Sequence, residues 1–127
     1  MTVTYTPANV GELSAVDYFR AKLEFESTPH QLQHDIEEDK VQILDVRDAE
    51  SFKKEHITGA INLPLAEIGQ NLSKLPRNKT IVTYCWNLTC ALAPKAALAL
   101  AEKGYKVQEL VGGIQEWKNK GFPVEGQ

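Results

Sequence analysis

Two cysteines, Cys85 and Cys90, are the only thiols in the chain, and they stand five positions apart. Cys85 follows Thr80-Ile81-Val82-Thr83-Tyr84, whose β-branched and aromatic residues read as a buried strand. Beyond the loop, Pro94 leads Lys95 to Lys103 into a helix that Gly104 stops, so Cys85 sits where a strand hands over to a loop that ends at a helix N-terminus. Unpaired N–H groups and the positive end of the helix dipole favour an anion there, and a thiolate is one. A free cysteine has a pKa of about 8.5, and this placement is one way of lowering it toward neutrality and making the sulfur a nucleophile. The competing reading is a small buried hydrophobe that closes a strand. A disulfide between the two cysteines requires the loop to bend, because bridged Cα atoms lie about 4.4–6.8 Å apart. Zinc would need two further ligands at plausible spacing, and none is evident. His30 and His34 lie four apart on one helical face, but with no Cys, His or carboxylate signature around them they read as a solvated face.

The elements that position Cys85 fit one domain of 127 residues. A composition of 43% hydrophobic and 24% charged residues, with a net charge of -3 and scattered lysines, is that of an ordinary globular protein with no basic stripe for nucleic acid and no footprint for a membrane surface. Two cysteines are too few for a secreted disulfide framework, the start carries no signal-peptide pattern, and no run approaches the ~18 apolar residues of a membrane span, so a reducing cytoplasm is the expected compartment.

In chain order, Met1 to Gly11 reads as an aperiodic arm. Ser14 caps a short helix over 15–20 with Val16 and Phe19 expected inward, and Lys22 to Glu26 alternates like an edge strand. The division expected is therefore an arm and short helix over 1–21 packed on a domain over 22–127. Thr28 and Pro29 open a helix to about Glu38 with Leu32 and Ile36 facing the core. Val41 to Val46 reads as a central strand buried on both faces, followed by a polar helix from Asp48 to His56, a turn at Thr58-Gly59 and a short strand from Ala60 to Leu63. A brief helix covers 65–72. After the cysteine loop, the helix from Pro94 offers the sheet either Leu98 with Ala101 or Ala97 with Leu100. Val107 to Val111 is the last strand, Gly112-Gly113 allows a left-handed turn or a close backbone approach, and a final helix over 114–120 carries Trp117 before Gly121-Phe122-Pro123 ends the fold. This alternation implies an α/β fold with a mostly parallel sheet and helices on both faces, in which ligands bind beyond the carboxyl ends of the strands, where Cys85 stands.

The chain resembles the single-domain rhodanese (thiosulfate sulfurtransferase-like) family. The resemblance rests on Asp45-Val46-Arg47, on His56-Ile57-Thr58-Gly59-Ala60-Ile61-Asn62-Leu63-Pro64, on Tyr84-Cys85, and on Gly112-Gly113-Ile114 with Trp117 and Gly121-Phe122-Pro123, in one order over about four fifths of the chain. It implies a five-stranded sheet and a catalytic Cys85 that takes a sulfane sulfur as a persulfide and passes it on. The backbone amides of Trp86, Asn87, Leu88, Thr89, Cys90 and Ala91 would cradle that sulfur. Asp45 and Arg47 would be supporting residues near the site. No cofactor or metal is implied, and the partners would be small sulfur donors and acceptors or a persulfide-bearing protein. The loop departs from the family in having no Gly or Arg before Pro94, with Cys90 near the place of that Arg, which is similar to a bacterial subset with two loop cysteines. Thiosulfate is therefore expected to be a poor donor. Lys95 is the nearest cation in sequence and reads as an exposed helical lysine. Trp86 reads either as a shield for the persulfide or as packing for the loop.

A sulfurtransferase is thus the leading reading, ahead of a thiol redox protein in which Cys90 resolves Cys85, and of a rhodanese-fold binding module without chemistry. A cysteine phosphatase would need Arg six positions after the nucleophile, and position 91 is Ala. Cys85 is expected to face solvent and the loop amides. Cys90 is expected to be a packed residue filling the space of the missing Arg.

Overall fold

A computed structural model of the chain describes residues 13–127. Its centre is a parallel sheet of five strands, β1 (Glu26–Ser27), β2 (Val41–Asp45), β4 (Ile61–Asn62), β5 (Thr80–Tyr84) and β6 (Val107–Leu110), in the order β1-β6-β5-β2-β4. Two further strands, β3 (His56–Ile57) and β7 (Val124–Glu125), pair antiparallel in a separate clasp. The helices are α1 (Ala15–Phe25), α2 (Pro29–Glu37), α3 (Ala49–Lys54), α4 (Leu92–Glu102) and α5 (Gly113–Asn119), with two 3-10 segments at Leu65–Gln70 and Leu72–Lys74. Among the described residues no helix is long and apolar enough to cross a membrane.

Successive strand residues face opposite sides, so β2 and β5 supply two cores at once. Leu44 and Ile81 join Ala93, Ala96 and Leu100 of α4 on one side, while Ile43, Val82 and Tyr84 join Leu32 of α2 and Ile114 and Trp117 of α5 on the other. Thr83 belongs to the α4 side, where its hydroxyl donates to the Ala93 carbonyl at 2.9 Å. The same alternation carries Cys85 to the α4 side and into that core. Two helix starts follow the side-chain capping expected, Ser14 accepting from the Asp17 amide and Thr28 from the Gln31 amide, and Asp48, read as part of the helix it precedes, caps α3 by accepting from the Ser51 amide.

Two expectations for α1 need correction. Lys22 to Phe25 continues α1 instead of forming an edge strand, because Lys22 and Glu26 meet one helical turn apart at 2.8 Å and the sheet edge is filled by Glu26 and Ser27 alone. Val16 and Phe19 face outward, Phe19 with 57% of its surface exposed, and Asp17 is the buried position of that helix. Of the two faces weighed for α4, the one with Leu100 is buried, and Leu98 is 63% exposed. In addition, the chain does not end its fold at Pro123, since Val124 and Glu125 form β7. Met1 to Gly11, read as an arm, lies outside the described residues, and the division at 21/22 falls within α1.

Candidate functional site

The loop from Cys85 to Ala91 joins the carboxyl end of β5 to α4. Asn87 bends it. Its side-chain oxygen accepts from the Thr89 amide at 3.1 Å and the Thr89 hydroxyl at 3.0 Å, and its carbonyl accepts from the Cys90 amide at 3.2 Å. An Asn that turns the chain in this way returns Cys90 toward the strand end. Cys85 and Cys90 are joined by a disulfide with their Cα atoms 6.3 Å apart.

This corrects two expectations. Cys85 does not face solvent: it is 2% exposed, because strand parity turns it toward α4. Cys90 is not merely a packed residue, because the Asn87 turn brings its sulfur onto that of Cys85.

Below the loop, α5 approaches so closely that a Cβ on Gly113 would lie 2.6 Å from the Cys85 carbonyl oxygen and 2.8 Å from the Asn87 nitrogen. Gly112 and Gly113 both have positive φ, at 85° and 62°. They turn the chain so that the Ile114 and Gln115 amides donate to the Cys85 and Trp86 carbonyls, each at 3.0 Å. The first amides of α5 are therefore committed to holding the loop. Ala91 opens α4 with no side-chain cap. Among the described residues, the amides of Trp86, Asn87, Leu88 and Ala91 donate to no protein acceptor, so four of the six residues expected to cradle a sulfur carry free N–H groups.

Beside the loop lies a buried ionic cluster. Arg47 and Asp45 are fully buried and pair through both carboxylate oxygens, with Nη2 to Oδ2 at 2.6 Å and Nε to Oδ1 at 3.0 Å. The Tyr84 hydroxyl donates to Asp45 Oδ2 at 2.6 Å and accepts from the Ile57 amide at 3.1 Å. Burial by itself would lower the Arg47 pKa, but hydrogen bonding and charge from Asp45 leave it raised. Burial first, and the Asp45 carboxylate second, push the Tyr84 phenol far above its usual range. The guanidinium also donates to the Glu55 carbonyl at 2.6 Å and lies 4.4 Å from the centre of the Trp86 ring, which fixes the first residue after Cys85 by a cation–π contact.

Two cavities flank the loop. One of about 350 Å³ is lined by Trp86, Asn87, Gln115, Lys118 and Glu55. The other, of about 320 Å³, is lined by Cys90, Leu88, Thr89, Glu26, Glu109 and Gly112 among others. Lys95 is exposed on the first turn of α4 and lines neither. Of the residues expected at the site, Cys85 through Ala91 with Asp45 and Arg47 come together, and Lys95 does not join them. Sequence reasoning missed Glu26 and Glu109. No local signal marked them, because the two acids become neighbours only through the pairing of β1 with β6 at Glu26 and Glu109. His34 pairs with Glu38 at 3.2 Å and His30 packs on Phe122. Among the described residues no group of three or more His, Cys, Asp or Glu side chains is placed to hold a metal.

Residues 28–120 match the family model of the rhodanese-like domain. The chain is 39% identical over 85 residues to an HTH-type transcriptional regulator of Mycobacterium tuberculosis, a match covering 67% of this chain and only 38% of the regulator. It is 35% identical over 77 residues to a thiosulfate sulfurtransferase of Coxiella burnetii, covering 60% of this chain and 70% of that protein. Its fold superimposes on a crystal structure of a Bacillus halodurans protein with a TM-score of 0.81 at 39% identity, covering 88% of this chain and 84% of that one.

Proposed function

The chain belongs to the rhodanese-like domain family, and from that premise we propose that it moves a sulfane sulfur through a persulfide on Cys85. The observation that carries this reading is the place of Cys85: at the carboxyl end of β5, opening a loop whose Trp86, Asn87, Leu88 and Ala91 amides donate to no acceptor among the described residues, ahead of an α4 without a side-chain cap. Those amides favour a thiolate and, one atom further out, a persulfide anion.

In the forward step the Cys85 thiolate attacks the sulfane sulfur of a donor, the donor's own bond to that sulfur breaks, and the donor leaves with the electron pair. An acceptor thiolate then attacks the outer sulfur and returns Cys85 as a thiolate. The disulfide favours a second outcome at the same site. Cys90 attacks the inner sulfur, the bond to the outer sulfur breaks, and hydrosulfide departs, leaving the Cys85–Cys90 bond that the structure contains. Two thiols are oxidised and one sulfane sulfur is reduced. The acceptor and the Cys90 thiol thus compete for one persulfide, and a reductant must open the disulfide before Cys85 reacts again.

The test is mass spectrometry of the intact, reduced protein after exposure to thiosulfate, 3-mercaptopyruvate or polysulfide. One added sulfur on Cys85, absent from Cys85→Ser and from the oxidised protein, is expected. A reduced protein that gains no sulfur from any of the three, or a Cys85→Ser variant that transfers at full rate, refutes the reading. Persulfide lifetime in Cys90→Ala against the unaltered chain separates the two outcomes: it lengthens if Cys90 resolves and stays the same if it does not.

A further inference from the structure

The two sulfurs of the disulfide differ in how they can be reached. Cys85 is 2% exposed, packed among Ile81, Ala93 and Ala96 of the α4 core, and its carbonyl is held by the Ile114 amide. Cys90 is only partly buried and lines the cavity of about 320 Å³, which Cys85 does not. Thiol–disulfide exchange takes place at one chosen sulfur, and both access to that sulfur and the stability of the departing thiolate set the choice. Here access decides, because Cys90 opens on the cavity and Cys85 does not. The Cys85 thiolate that departs belongs to the first residue of the loop whose Trp86, Asn87, Leu88 and Ala91 amides donate to no acceptor among the described residues. We propose that the external thiol which reopens the disulfide attacks Cys90 through this cavity and expels Cys85 as a thiolate, and that the cavity accepts uncharged or cationic thiols in preference to anionic ones.

The selection comes from two carboxylates. β1 and β6 pair with Glu26 directly beside Glu109, and both acids line the cavity with Cys90. Lys22 pairs with Glu26 at 2.8 Å, which leaves Glu109 as the carboxylate without a partner cation among the described residues. Among the described residues no Lys or Arg lines this cavity. The incoming thiolate forms a bond to Cys90 Sγ as the Sγ–Sγ bond breaks and its electron pair goes to Cys85. A second thiolate then attacks the outer sulfur of the mixed disulfide, forming an external disulfide and releasing Cys90. Two external thiols supply the two electrons.

This inference rests on the proposed function only in its consequence, that Cys85 is the sulfur delivered ready to react. Its test uses the oxidised protein and no sulfur donor. The protein is mixed with cysteamine, 2-mercaptoethanol or 2-mercaptoethanesulfonate, quenched with iodoacetamide and fragmented between positions 85 and 90. The expected product carries the small thiol on Cys90 and the alkyl group on Cys85. The adduct is read at the earliest quench times, before a second thiol releases Cys90, and an adduct on Cys85 there overturns the assignment. Opening rates, corrected for each reagent's thiolate fraction, should fall from the cationic to the anionic thiol by about threefold per unit charge at low salt, the size expected for a charge about 6 Å away in water. Glu109→Gln should flatten that series, and equal rates in the unaltered protein overturn the selection. A reduced protein that takes up no sulfane sulfur would refute the proposed function and leave this result standing.

Discussion

Gly113 is where the geometry of the site can be tested with one methyl group. A Cβ there meets three backbone atoms of the loop, the Cys85 carbonyl oxygen at 2.6 Å, the Trp86 carbonyl carbon at 2.7 Å and the Asn87 nitrogen at 2.8 Å, and backbone cannot rotate away as a side chain can. Gly113→Ala therefore carries two costs. A non-glycine residue at a φ of 62° costs about 1–2 kcal/mol. Forcing the loop and α5 apart adds about 1–3 kcal/mol, as overpacking does elsewhere. Gly121 provides the control, because its φ is 80° but nothing lies within 4 Å of its Cβ position. Gly121→Ala should show the backbone cost alone. Urea unfolding of both variants under reducing conditions should place Gly113→Ala lower by about 1–3 kcal/mol, the contribution of the clash. The displaced loop also stretches the Ile114 and Gln115 bonds to the Cys85 and Trp86 carbonyls, so sulfur uptake by Cys85 should fall about ten- to a hundredfold, while Gly121→Ala retains it. Equal stability and equal uptake in the two variants would refute the claim that α5 holds the loop in place.

Asp45→Asn leaves the buried Arg47 guanidinium without its counter-charge and should destabilise the fold by about 3–5 kcal/mol, read as a lowered Tm; an unchanged Tm would rule out the cluster as a structural support. Thiosulfate should serve with a kcat/KM about ten- to a hundredfold below that of polysulfide, because the loop offers no guanidinium to the sulfonate and Arg47 is taken by Asp45 and Glu55, a deficit of about 1.5–3 kcal/mol; steady-state kinetics with thiosulfate as the better donor would contradict this. Burial, and then the charge of Glu26, raise the Glu109 pKa, so its ionised form, present at neutral pH, costs the folded state more than the unfolded one. The stability linked to its proton is complete below the ordinary carboxylate range and is lost as pH rises through the folded value. Glu109→Gln should accordingly be more stable than the unaltered protein at neutral pH, with the difference vanishing as the pH falls below about 4, and a gap that widens in acid would reverse the assignment.

The buried strand Thr80 to Tyr84 and the Thr28 cap with Pro29 were legible in the sequence, because each depends on local residue chemistry, whereas Gly112-Gly113 left open a left-handed turn or a close backbone approach, and the structure has both. The place of Cys85 at the carboxyl end of β5, opening the loop to α4, was legible from local chemistry as well. What escaped was decided at a distance. Lys22 to Phe25 alternates as a strand would, but only pairing shows that the sheet edge is already full at Glu26 and Ser27. β7 is two residues long and exists because β3 lies across from it. The orientation of Cys85 was within reach: Ile81 and Thr83 face α4, so the second residue after Thr83 does too. The bend that brings Cys90 back needed the Asn87 turn to be recognised as one. The Arg47–Asp45–Tyr84 cluster joins two strands and was beyond local reading, although Asp45 and Arg47 were singled out by resemblance.

The two tryptophans differ in ways that make the molecule its own optical reporter. Trp117 is fully buried on α5, with its indole N–H donating to the Pro123 carbonyl at 2.9 Å, so an indole there should report on the fold. Trp86 is 46% exposed, rests on the Arg47 guanidinium and follows Cys85 in the chain, so an indole there should report on the loop. Unfolding and loop chemistry are thereby expected to reach different indoles of one molecule, without a label.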